Sequence, residues 1–375
     1  MKFLHTADWQ IGMKAAHAGK AGAKVREARL ETGRRVVEEA NQMAADFLVL
    51  AGDTFEDNGV ERVLVQKVAD ILAAFKGPVY VIPGNHDPLV PGSVWEHAAW
   101  KEQDRVRILA EASPLEVPGG VLYPCPVLSK HSTKDPTGWI RGHEAGGIRV
   151  GLAHGTVEGV RQDEPDYPIP RDATARTGLD YLALGHWHST AKYADSTGTV
   201  RMAYSGTAEP TGFGERASGH VLLVEIAVPG APPQITEIPT GRLKWLSLSA
   251  ELREEGDLAR QRGQVAALEN PSETLLALSI SGLLSPGDRA ELERLREIMD
   301  ARFLFGQIDA SRLRPMPEDV RWLDAVPAGF LREAAERLRA WSDPHFGGVR
   351  PAEASPEVAA RALLKLCALA EEAGS

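Results

Sequence analysis

Through about residue 226, short apolar runs stop abruptly at polar or glycine-bearing tips. The runs at residues 2–5, 47–51, 79–82, 150–153, 181–184 and 221–224 read as buried strands. Between the early ones, residues 26–45 and 60–75 follow helical patterns. Alternating strand and helix predicts an α/β domain whose sheet faces are covered by helices.

At residues 228–233 the composition shifts to Pro, Gly and Ala, which reads as a linker and a domain boundary. Beyond it, residues 245–248 and 275–280 read as strands. Ser285-Pro286-Gly287-Asp288 then supplies an N-cap, a first-turn Pro and an acid three residues on. The helix it opens carries Leu292, Leu295 and Met299 on one face, and residues 303–305 return as a strand. The pattern predicts a smaller α+β cap domain. From about Ser311 the chain reads as helical again, with an amphipathic stretch at 328–341 and a last helix starting at Ser355-Pro356. Residues 358–370 are apolar around much of that helix, so it must pack on something. The expected division is a catalytic domain at 1–227, a cap at 234–310 and a helical segment at 311–375.

Composition narrows the class. With 375 residues, 43% hydrophobic and 25% charged, the chain can bury a full core. A net charge of −10 argues against a uniformly basic nucleic-acid-binding surface and leaves room for a local one. Part of that imbalance fits a carboxylate cluster meant for divalent cations. Cys125 and Cys367 stand far apart and outside any metal-ligand spacing, which suits a reducing compartment. No secretory apolar region follows Met1, and no apolar stretch approaches the roughly 20 residues of a membrane span, so a cytoplasmic protein without membrane contact is expected.

The chemistry lies at the tips of the runs: Asp8-Trp9-Gln10, Gly52-Asp53, Gly84-Asn85-His86-Asp87, His154-Gly155 and Gly185-His186-Trp187-His188. One such motif alone is weak, since a strand-end His is more often structural and Gly-Asp more often a turn. Five in order, each directly after an apolar run, can converge at the carboxyl ends of a sheet. Asp8 and Gln10 share one side of extended chain, as do His186 and His188. Asp53 has two oxygens with which to bridge cations roughly 3.5–4 Å apart. Asn85 adds a carbonyl oxygen and His154 a nitrogen, a mixed N/O environment without thiolate that suits Mn²⁺, Fe²⁺ or Zn²⁺.

These five motifs resemble those of the calcineurin-like metallophosphoesterases. His5-Thr6-Ala7-Asp8-Trp9, with Tyr204-Ser205-Gly206-Thr207 and Phe213-Gly214-Glu215, resembles the SbcD branch of bacterial DNA double-strand-break repair nucleases. The resemblance covers about the first 225 residues. It implies a β-sandwich flanked by helices and a Mn²⁺-dependent DNA nuclease, with Fe, Zn or Mg as other metals. One ion would be held by Asp8, Asp53 and His188, the other by Asp53, Asn85, His154 and His186. His86 would be the catalytic histidine, assisting while a metal-bound hydroxide attacks phosphorus in line. A homodimer and an SbcC-like ATPase on the C-terminal helices are implied as partners beside DNA.

Two positions depart from the family pattern. Gln10 stands where a second histidine is usual; its neutral, harder carbonyl should bind the first metal less tightly and lean toward Mn²⁺ or Mg²⁺. Glu56 stands where Asp or His is usual, and its carboxylate either bonds His86 and raises its basicity or is a solvated loop acid. Two other functions fit these residues: a small-molecule or nucleotide phosphodiesterase, and a DNA-binding subunit whose hydrolysis has decayed through Gln10. Trp9 and Trp187 suit rigid packing of the ligand loops more than base stacking. Arg289, Arg294, Arg296 and Arg302 alternate with acids, which reads as an ion-paired helix surface.

Overall fold

The computed structural model describes residues 1–142, 146–159, 166–285, 287–315, 322–323, 326 and 328–374. It divides into two compact units, Met1–Lys244 and Trp245–Ser375.

The strands of the first unit are β1 (Lys2–Thr6), β2 (Phe47–Ala51), β3 (Val79–Ile82), β4 (Val106–Ile108), β5 (Leu115–Val117), β6 (Gly120–Cys125), β7 (Ile148–His154), β8 (Tyr181–Gly185), β9 (Ala191–Ala194), β10 (Val200–Tyr204), β11 (His220–Glu225) and β12 (Gln234–Pro239). Its helices are α1 (Gly22–Gln42), α2 (Arg62–Ala73) and α3 (Ala173–Thr177). The strands form two six-stranded sheets, ordered β12-β11-β1-β2-β3-β4 and β5-β6-β7-β8-β10-β9. Strands β1 to β4 run parallel to their neighbours in sequence, and β6, β7, β8 and β10 form a second parallel set.

The six apolar runs are strands β1, β2, β3, β7, β8 and β11, and their continuity follows from burial on both faces. Phe3, Phe47, Val49, Tyr80 and Ile82 point between the sheets and meet Leu122, Val150, Tyr181 and Ala183. The Phe3 and Phe47 rings stack there with centroids 4.8 Å apart. Their neighbours Leu4, Leu48 and Leu50 point the other way, onto Val36 and Val37 of α1 and Val68 and Leu72 of α2. Leu182, Leu184, Met202 and Tyr204 cover the outer face of the second sheet together with Ala173 of α3. The result is a mixed α/β sandwich flanked by helices.

The Pro- and Gly-rich stretch at 228–233 is a connection within this unit, because β12 returns antiparallel to β11 with Glu225 opposite Gln234. Turn composition is shared by hairpin loops and interdomain linkers, so composition alone does not separate them.

The second unit contains β13 (Lys244–Leu252), β14 (Thr274–Leu284) and β15 (Phe305–Pro315), in that order in one sheet. Its helices are α4 (Asp257–Ala266), α5 (Asp288–Arg302), α6 (Phe330–Ser342) and α7 (Pro356–Gly374). Leu292, Leu295 and Met299 of α5 pack with Leu276, Leu278 and Ile280 of β14. The Ser285 hydroxyl accepts the Asp288 N–H at 3.1 Å, as an N-cap does; the Pro286 expected beside it lies outside the described residues. On α5, Arg294 pairs with Glu291 and Arg296 with Glu293, the ion-paired surface expected of their spacing. β15 continues to Pro315, past the point where the pattern turned helical, because its parallel ladder with β14 extends to Leu284. Helix α7 buries Leu363 in a small cluster with Leu323 and Ala335 of α6. Among the described residues no helix is long and apolar enough to cross a membrane.

Candidate metal centre

Asp8 lies just beyond β1 and Asp53 just beyond β2, both with left-handed backbone (φ 53° and 50°). Aspartate tolerates this conformation better than most residues. His186 at φ 107° is more costly, on the order of 1–3 kcal/mol for such a position. The turns persist because the main chain over-determines them: Asp8 N donates to Gly52 O (3.1 Å) and Gln10 N to Asp53 O (3.0 Å). The side chains are thereby aimed at one another. Asp8, Asp53 and His154, all buried, each offer a ligand atom within 4.8 Å of the others. Asn85 Oδ1 joins them, 2.8 Å from His154 Nε2 and 3.0 Å from His186 Nδ1.

Each member is oriented from behind. His154 Nδ1 donates to Ala51 O at 2.8 Å, which leaves the Nε2 lone pair of the neutral ring toward Asp53 Oδ1, 3.4 Å away. His186 N–H donates to both Asp8 oxygens (3.0 and 3.1 Å), and His86 N–H donates to Asp53 Oδ1 (2.9 Å). Gly84 packs so closely that a Cβ there would sit 2.1 Å from Asp53 Oδ1. The loop containing it is pinned by the buried Asp87, which accepts Gly84 N–H (2.7 Å) and Phe55 N–H (2.9 Å). Burial, reinforced by Asp53, pushes the Asp87 carboxyl up to about 7.

His188 stands apart from this cluster. Its Nδ1 lies 3.1 Å from Glu215 Oε1 and 3.2 Å from Thr211 Oγ1, so Nε2 is the nitrogen left for an ion. Glu215 is held by the Thr211 N–H at 2.9 Å and by the Thr211 hydroxyl. The buried Arg29 of α1 clamps the surrounding loops, with Nε donating to Trp9 O (2.9 Å) and Nη1 to Glu209 O (3.2 Å). Asp87, Glu215 and Arg29 carried no role in the sequence reading. Asp87 and Glu215 lay inside motifs already noticed, whereas Arg29 sits in an ordinary charged helix and only its burial reveals it. Glu215→Gln is expected to weaken Mn²⁺ binding by roughly 10–100-fold with the fold intact, as loss of such a supporting carboxylate does. Isothermal titration calorimetry with MnCl₂ checks this, and unchanged affinity would remove Glu215 from the centre.

Of the two readings of Glu56, a carboxylate bonded to His86 or a loop acid, the geometry does not support the first, because the contact runs through the main chain. His86 Nδ1 donates to the main-chain carbonyl of Glu56 at 2.9 Å, a bond that any residue at position 56 supplies. His86 itself is exposed. Gln10 is buried, its Nε2 donates to Asp53 Oδ2 at 3.1 Å, and its Oε1 has no hydrogen-bond partner among the described residues. Trp9 is buried, with Nε1 donating to Thr6 Oγ1 (2.9 Å), and Trp187 packs partly buried on the outer face of the second sheet. Trp9 therefore serves packing and is not available to stack on bases.

The donor set fits divalent cations of the Mn²⁺, Fe²⁺ and Zn²⁺ class: carboxylates, an amide oxygen and imidazoles, with no thiolate. Its electrostatics fit as well. Burial pushes the Asp8 carboxyl up to about 6. Burial acts the same way on Asp53, but neighbouring His154 outweighs it and carries that carboxyl down to about 2. Burial alone would lower His154, yet Asp53 beside it raises it to about 9. Without an ion, the raised His154 contributes stability below its ordinary 6.5 that is lost as the pH climbs through about 9. An ion at Nε2 has to displace that proton. The rise in melting temperature produced by MnCl₂ is therefore expected to grow as the pH goes from 6.5 toward 9, measured by differential scanning fluorimetry. A pH-independent increment would remove His154 from the ligands.

A mixed sandwich whose parallel strands gather buried carboxylates and imidazoles at their carboxyl ends is suited to hold metal ions for hydrolysis. The family model of the calcineurin-like phosphoesterases matches residues 1–190, and the chain belongs to that family. It is 28% identical over 202 residues to YhaO of Bacillus subtilis (strain 168), an uncharacterized metallophosphoesterase. That match takes in 50% of this chain and 48% of the relative, so the chain spans about half of the relative's length. The crystal structure of TT1561 of Thermus thermophilus aligns with 64% of this chain and 98% of that one, at 12% identity and a TM-score of 0.42. The family is one of phosphoesterases, a chemistry that this donor set suits.

Proposed function

We propose that the chain is a phosphodiesterase with two metal ions and that DNA is its substrate. The observation that carries the reading is the convergence of Asp8, Asp53 and His154 within 4.8 Å, with Asn85 and His186 bonded into the same cluster. Asp53 would be shared, with Asp8 and His188 completing one ion position and Asn85, His154 and His186 the other. When bound, the ions supply Lewis-acid polarisation of the phosphoryl group and a nucleophile from water at neutral pH. His86 is exposed beside this cluster, and its Nδ1 is committed to the Glu56 carbonyl. That leaves Nε2 to hold a proton for the departing oxygen.

The choice of DNA and of Mn²⁺ rests on the SbcD-like segments at residues 5–9, 204–207 and 213–215. The same resemblance supports a homodimer and an SbcC-like ATPase partner for the C-terminal helices. The test is Mn²⁺-dependent cleavage of labelled single- and double-stranded DNA, run beside bis-p-nitrophenyl phosphate. Cleavage of both substrates is expected. Cleavage of the small ester alone moves the substrate to a smaller phosphodiester, and cleavage of neither overturns the reading.

A further inference from the structure

Gln10 makes a buried hydrogen bond to Asp53 that an ion could replace only if the side-chain amide turned over. Its NH₂ group points at Asp53 Oδ2 from 3.1 Å, while its own oxygen is buried without a partner among the described residues. With no cation between them, this is the only orientation in which the two side chains attract, because carboxamide oxygen and carboxylate oxygen are both acceptors. With a cation between them the preference reverses, since an N–H dipole repels positive charge and the amide oxygen binds it. At the other position an ion replaces only a proton, because His154 Nε2 and His186 Nδ1 already face Asn85 Oδ1 at 2.8 and 3.0 Å and no side chain has to turn. His154 Nδ1 and Asp53 Oδ1 are held there by main-chain groups.

Resting on the two-metal reading above, we propose that Gln10 makes the two ion positions unequal and orders their filling. The ion held by Asp53, Asn85, His154 and His186 binds first and tightly. The ion held by Asp8, Asp53 and His188 enters second, and only as the Gln10 carboxamide turns over to replace NH₂ with oxygen at Asp53. That second ion is exchangeable, so ambient Mn²⁺ sets how much of the protein carries a complete centre. The amide of Gln10 thus acts as a positioning group that couples activity to metal supply.

The experiment titrates the full chain with MnCl₂ and follows binding by calorimetry and by electron paramagnetic resonance, which separates a lone Mn²⁺ from a spin-coupled pair. Wild type is expected to show one tight ion with an uncoupled signal, then a second at least about tenfold weaker with the coupled signal, since changes behind a ligand alone move metal affinity by roughly 10–100-fold. Gln10→His, with a stronger ligand for these cations, is expected to merge the two steps. Should that variant misfold by circular dichroism, Gln10→Glu reads the same difference, because a carboxylate has no competing donor and adds charge. Two equal steps in wild type overturn the proposal and leave the two-metal reading standing, as does a weak second step unmoved in a folded variant. Tight binding of a single ion in wild type and folded variants alike, with no second ion at any Mn²⁺ concentration, overturns both.

Discussion

Asp53→Asn is expected to abolish tight Mn²⁺ binding and to lower phosphodiester cleavage by more than about 100-fold, beyond the roughly 10–100-fold that supporting groups alone are worth. In the proposed two-metal reading, Asp53 is the group that both ion positions share. Its depressed carboxyl, at about 2, is charged throughout the working range. Asparagine keeps the shape and one acceptor, so the His86 N–H at 2.9 Å retains its partner. At the other oxygen the new NH₂ would meet the Gln10 NH₂, and Gln10 answers by turning its unpartnered oxygen inward. The chain should therefore fold. Acid unfolding gives an independent check on the charge. A carboxyl lowered from 3.8 to about 2 stabilises the native state above 3.8, and that stability is lost as the pH falls toward 2. Asp53→Asn should flatten that part of the profile, while retention of tight Mn²⁺ binding would rule out a shared ligand at this position.

His86→Ala is expected to leave Mn²⁺ affinity unchanged and to reduce kcat by about 10²–10⁴-fold, the usual worth of a positioned proton donor or acceptor. The side chain is exposed and makes its hydrogen bond to the Glu56 carbonyl, outside the ligand cluster. What His86 gives to Asp53 is a main-chain N–H, which alanine keeps. A merely structural histidine would behave in the opposite way, weakening Mn²⁺ binding with little effect on kcat at saturating metal. The pH–rate profile separates the two further, because removing a proton carrier deletes one limb whereas loosening a ligand shifts the whole curve. Full kcat in His86→Ala would assign the proton transfer elsewhere.

The contrast between Glu56 and Glu215 shows where residue identity stopped informing. Glu56 follows Asp53 by three residues, and Glu215 closes the Phe213-Gly214-Glu215 segment. The side chain of Glu215 supports His188 at 3.1 Å, while Glu56 supports His86 through its main chain. Identity at a position says which groups exist, and only the path of the backbone says which of them face the site. Arg29 makes the same point from the opposite direction. Its charge looks ordinary along α1, yet it is buried where the loops after β1 and around residue 209 meet.

Much was legible in the chain itself for a local reason. Strands buried on both faces must be apolar without interruption, so their positions are written as runs, and the residues that end each run stand at strand ends. That is why the positions of the core strands, and of Asp8, Asp53, Asn85, His154 and His186 at their ends, could be read in sequence. The boundary after β12, the extension of β15 to Pro315, the main-chain role of Glu56 and the inward-facing amide of Gln10 were decided by pairing between segments far apart in the chain. Register, burial and amide orientation are set by partners that no local window contains. For that reason the kinds of donor group belong to the sequence, and their convergence around Asp53 belongs to the fold.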